Sequence, residues 1–121
     1  MTRAIRFERT GGPEILSFEE VALKPPGENE VRVRHKAIGV NFIDIYHRTG
    51  LYKLSLPSGL GMEAAGVVEA VGSNVTRFRE GDRIAYASGP VGAYSEAANI
   101  AAGRGVKIPD GIGDEMAEPW K

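Results

Sequence analysis

The chain has 121 residues, 42% hydrophobic and 26% charged, with 15 Lys and Arg against 16 Asp and Glu for a net charge of −1. That length fits one domain, and the charge balance leaves no basic footprint for nucleic acid or an anionic membrane. Without Cys there are no disulfides or thiolate metal sites, and a reducing compartment is expected.

The sixteen Gly are about twice the usual share, and with seven Pro they point to many short elements joined by tight turns. Residues 3–9, RAIRFER, alternate Ile5 and Phe7 with charges and predict a half-buried strand. The opening MTRAIRFERTGG is charged throughout, unlike a signal peptide, and no run approaches the roughly 18 apolar residues of a membrane helix. A soluble, cytoplasmic domain is the expectation. After Gly11-Gly12-Pro13, residues 15–21 resume an extended pattern, and KPPGENE at 24–30 reads as a loop. Residues 30–38 carry the clearest alternation, with Val31 and Val33 on one face and Arg32 and Arg34 on the other. At 41–49 the period changes to that of a short helix. Phe42, Ile45 and Tyr46 share one face, Asn41 suits the N-cap and Gly50 suits the stop.

LSLPSGLG at 54–61 is irregular, whereas EAAGVVEAVG at 63–72 is Val-rich and strand-like. Residues 79–88 and 91–100 each predict a further strand. Residues 104–115 predict a strand, a turn and the start of a second helix. Six or seven strands with at most two short helices imply a mostly β, antiparallel, barrel-like domain, since no segment could serve as a parallel crossover.

Gly59-Leu60-Gly61-Met62-Glu63-Ala64 fits G-x-G-x-x-A, but that fingerprint must leave a strand and open a helix, and here a strand-like run follows. His35 is expected on a charged strand face, and Asp44 and His47, at i and i+3, on a solvated helix face without metal. The remaining chemistry gathers around the first helix: Asn41, Asp44, Tyr46, Arg48 and Tyr52. Two readings stand for it. Tyr46 packs under the helix and Tyr52 caps a loop, or the tyrosines face a planar ligand to whose carbonyl one hydroxyl donates.

Taken in order, GGPEIL at 11–16, residues 28–52 with VNFID and TGLY, LPSGLGMEAAGVVEAVGSNV at 56–75 and GDRIAYA at 81–87 closely resemble one known domain. It is the N-terminal GroES-like domain of zinc-free, zeta-crystallin-like quinone oxidoreductases in the medium-chain dehydrogenase/reductase superfamily. The resemblance implies a partly open antiparallel β-barrel over residues 1–116, and an NADPH-dependent reduction of quinones. It places Asn41, Phe42, Ile43, Asp44, Ile45 and Tyr46 against the nicotinamide half of NADPH, and implies two catalytic residues, Asn41 hydrogen-bonding near the reacting ring and Tyr52 facing the quinone as hydrogen-bond donor. Asn41 and Met62 stand where zinc-dependent relatives carry Cys and His, which implies no catalytic zinc.

In that family a Rossmann nucleotide-binding domain follows, whereas residues 117–121 match nothing in it. The expectation is therefore an incomplete, inactive part with weak or absent NADPH binding, and with apolar surface exposed for self-association. The alternatives are an enone reductase of the same superfamily and a non-catalytic interaction module.

Overall fold

In the computed structural model, which describes residues 2–51, 53–87 and 91–109, eight strands form two antiparallel sheets. The smaller sheet runs β2-β1-β4, from β1 (Thr2–Phe7), β2 (Ser17–Val21) and β4 (Ser58–Gly59). The larger runs β7-β3-β5-β6-β8, from β3 (Glu30–Gly39), β5 (Glu63–Val71), β6 (Arg83–Tyr86), β7 (Ala97–Ala101) and β8 (Gly105–Lys107). Helix α1 (Phe42–Thr49) follows β3, and 3-10 turns occupy Pro13–Ile15 and Ala102–Arg104. This is the expected mostly β, antiparallel and partly open architecture, and among the described residues no barrel closes.

Three local expectations are corrected. The count of strands rises to eight because of β4, whose two residues are too short to alternate and form only by pairing Ser58 with Phe7 and Gly59 with Arg6. Within 91–100 only Ala97–Ala101 joins the sheet, because the preceding residues leave it to reach β1. One α-helix is described, and the helix start predicted past Pro109 lies outside the described residues. Among those residues no helix is long and apolar enough to cross a membrane.

The alternation in β3 sends Val31 and Val33 inward to a core shared with Val68, Phe78, Ile84, Tyr86 and Ile100. β3 and β5 pair along most of their length, with one extra residue on each strand, Glu69 on β5 and Lys36 on β3. Beside the second bulge lies Gly66, where any Cβ would meet the Arg34 backbone.

The two sheets are stitched together by residues 94–96. Ile5 N–H donates to the Tyr94 carbonyl at 2.8 Å, Glu96 N–H to the Arg3 carbonyl at 2.9 Å, and His35 N–H to the Glu96 carbonyl at 2.8 Å. One short segment thus bonds to β1 on one side and β3 on the other.

His35 completes the stitch and corrects its assignment to a charged face. Its ring Nδ1 lies 2.8 Å from the Ser95 carbonyl, so it donates, and Nε2 accepts from Tyr86 Oη at 2.8 Å. Burial lowers the imidazole pKa from its ordinary 6.5, with a smaller push from Arg34, against the opposing Ser95 bond. Because the unfolded chain takes up this proton first, stability should fall as pH drops through and below 6.5. His35→Gln is expected to flatten that part of the slope. Urea midpoints measured above and below that pH in both proteins check it, and parallel slopes would refute it.

Candidate functional site

Where β3 ends, an Asn and an Asp three residues apart start a helix. Asn41 is extended (φ −131, ψ 157). Its N–H donates to Asp44 Oδ2 at 3.0 Å, and Asp44 N–H donates back to the Asn41 carbonyl at 3.0 Å. At the other end Gly50 takes φ +91, and its N–H bonds the Tyr46 and His47 carbonyls at 3.1 and 3.3 Å. Both helix ends lie where the sequence puts them.

The faces do not. Asp44 and His47 are 3% and 7% exposed, so the pair expected on a solvated face lies beneath the helix. Phe42, Ile45 and Tyr46 are 78%, 44% and 38% exposed, so the apolar stripe faces outward and Tyr46 does not pack under the helix. The reversal has a partner: Tyr94 Oη donates to Asp44 Oδ2 at 2.7 Å. Asp44 Oδ1 and His47 Nδ1 are buried with no hydrogen-bond partner among the described residues.

Tyr94 is held as firmly as the helix it meets. Its N–H donates to the Leu60 carbonyl at 2.9 Å, and its ring covers Gly61, where φ is +96 and any Cβ would collide with it. Burial, then the bond to Asp44, then that residue's charge, push the Tyr94 hydroxyl pKa above the ordinary phenol value. It therefore remains a donor throughout the neutral range. The far end of α1 is tied to the first turn, Arg48 Nη1 donating to the Gly11 carbonyl at 3.1 Å and Gly11 N–H to the Arg48 carbonyl at 2.9 Å.

With its polar side anchored, α1 presents an apolar one. A hollow of about 370 Å³ is lined by Val40, Asn41, Phe42 and Ile45. A neighbouring groove of about 380 Å³ is lined by Ile5, Phe18, Ile38, Val40 and Tyr94 among others, so Val40 belongs to both. The first hollow can receive the face of a flat, mostly apolar ring, with the Asn41 amide as its polar group.

Of the six residues assigned to a cofactor, Asn41, Phe42 and Ile45 therefore come together. Ile43 is half-buried, Asp44 lies beneath, and Tyr46 is exposed but lines neither hollow. Tyr52 lies outside the described residues. Gly59 and Gly61 sit at β4 and the turn before β5, with no helix after them, so the G-x-G-x-x-A string lacks the strand-to-helix setting of a dinucleotide fingerprint and serves close packing against Gly92 and Tyr94. Among the described residues no three His, Asp or Glu side chains converge on a metal position.

Val40 and Tyr94 escaped the sequence reading. Val40 precedes the N-cap and looks like the end of a strand. For Tyr94 the signal was Gly61, which marks a close approach without naming what approaches.

The Alcohol dehydrogenase GroES-like domain family matches residues 27–110. Over 118 residues the chain is 57% identical to a quinone oxidoreductase of Pseudomonas aeruginosa, covering 97% of this chain and 36% of the relative. It is 42% identical over 113 residues to a 2-haloacrylate reductase of a Burkholderia species, covering 90% of this chain and 34% of that one. The solved Escherichia coli quinone oxidoreductase, complexed with NADPH, superposes with a TM-score of 0.92 at 49% identity, over 93% of this chain and 35% of that one. The chain spans about a third of the length of these relatives.

Proposed function

Because the chain belongs to the alcohol dehydrogenase GroES-like domain family, we propose that it forms the substrate-side wall of an NADPH-dependent quinone reductase. The observation that carries this is the outward apolar face of α1, held there by the part-buried bond between Asp44 and Tyr94. Exposed apolar side chains fixed in place around one amide suit a ring that must be bound flat and kept dry.

The residues fit a nicotinamide ring: Val40, Phe42 and Ile45 supply apolar contact and Asn41 a group for a carboxamide. When bound, the nicotinamide supplies the hydride. This chain's part is to orient one face of the ring and to exclude water. Tyr52 is assigned the donor role toward the quinone oxygen, where negative charge develops. The described residues offer no cradle for the pyrophosphate, so the other half of the cofactor needs a separate nucleotide-binding part. The 121 residues by themselves are then inert.

The test fuses the chain to the remaining two-thirds of the Pseudomonas aeruginosa relative. The fusion should oxidise NADPH with para-benzoquinone in a saturable way, and the chain alone should not. Saturable turnover by the chain alone would overturn the division of labour. A fusion active on 2-haloacrylate but not on quinones would instead favour an enone reductase, the reading that the Burkholderia relative supports.

A further inference from the structure

We infer that Tyr94 is the positioning residue for the nicotinamide wall, acting through Asp44; this rests on the nicotinamide reading of the hollow beside α1. A tyrosine fixed to the inter-sheet segment holds a buried carboxylate, and the carboxylate holds the Asn41 backbone from which the wall begins.

Tyr94 cannot drift, because its N–H bonds Leu60, its carbonyl accepts from Ile5, and its ring lies over Gly61. Its hydroxyl donates to Asp44 Oδ2 at 2.7 Å. The same oxygen accepts the Asn41 N–H at 3.0 Å, so one atom joins the two. Asp44 has no second anchor on its other oxygen, which is buried without a partner among the described residues. Without Tyr94 Oη the carboxylate would keep only the local bond to Asn41, and among the described residues no other side-chain hydrogen bond of Asp44 would tie the first turn of α1 to the sheets beyond its chain connection to β3. The C-terminal pin through Arg48 would survive at the opposite end of the helix. The rotation of α1, and with it the direction of Phe42 and Ile45, therefore depends on this hydroxyl. Tyr94 also lines the adjoining groove, so a single side chain borders one hollow and sets the other.

The test compares the 121-residue chain with Tyr94→Phe, Asp44→Asn and Arg48→Met, following amide exchange and NADPH-induced amide shifts by NMR. In Tyr94→Phe the amides of Asn41, Asp44 and Ile45 should exchange about 10-fold faster, with β3 and β5 unchanged within about twofold. Asp44→Asn should stay within about threefold of the parent, because the introduced amide oxygen still accepts from Tyr94. Arg48→Met removes a comparable pin at the other end and should leave the Asn41 and Asp44 amides as they are. Shifts at residues 41–46 on millimolar NADPH should shrink in Tyr94→Phe and persist in Arg48→Met. Faster exchange spread equally over all strands, or equal effects of Tyr94→Phe and Arg48→Met on the Asn41 amide, would overturn the positioning role. If NADPH moves no amide of residues 41–46 either in the parent chain or in its fusion to the remaining two-thirds of the Pseudomonas aeruginosa relative, the nicotinamide reading falls, while the exchange comparison still decides whether Tyr94 sets the helix.

Discussion

Gly61→Ala is expected to lower the unfolding free energy by about 2–5 kcal/mol, a large share of the roughly 5–15 kcal/mol typical of a domain. Two costs combine there. The backbone sits at φ +96, which L side chains rarely adopt, and the new Cβ would strike the Tyr94 ring and approach its backbone nitrogen at 3.0 Å. Gly81 separates the two. It has nearly the same φ, +93, but nothing lies within 4 Å of the place an added methyl would take, so Gly81→Ala should cost only the backbone share, about 1–2 kcal/mol. Urea denaturation of both variants checks the difference. Equal losses would mean that Tyr94 can move aside, and that the site tolerates its displacement.

Phe42→Ser should show the opposite profile. Phe42 is 78% exposed, so its truncation should change the stability of the chain by no more than about 0.5 kcal/mol. In the fusion with the Pseudomonas aeruginosa relative, kcat/KM for NADPH should nevertheless fall about 10- to 100-fold, because an apolar face of the ring site is lost and the ring is held less closely. Steady-state kinetics beside a denaturation curve makes the comparison. An unchanged kcat/KM would remove Phe42 from the wall, and a collapse of stability would show that its exposed ring packs elsewhere.

How much of this was legible depended on the range of the interaction. The caps of α1 are local, since Asn41, Asp44 and Gly50 need only their own neighbours, and the sequence placed both ends. The alternation of β3 is local too, and Val31 and Val33 are buried as it implies. β4 was invisible because two residues carry no period, and only Arg6 and Phe7, some fifty residues earlier, make it a strand. The helix faces were misjudged for the same reason. Phe42, Ile45 and Tyr46 read as a stripe that a globular helix would turn inward. What turns Asp44 inward instead is a hydroxyl 50 residues further on. An apolar stripe reports which side chains share a face and not which way that face looks.

The same distance sets a schedule for a chain emerging from a ribosome. At about 5–20 residues per second, some 3–10 s separate the appearance of Asp44 from that of Tyr94. Over that interval the carboxylate that will be buried stays hydrated, and the first turn of the helix has no tether to either sheet. β1 can pair with β2 early, but its bonds to residues 94–96 wait longer still, because the Arg3 amide meets Glu96 across 93 positions. The smaller sheet and the helix can therefore form locally, but their docking through residues 94–96 comes late, and the wall is among the last features of the domain to take shape.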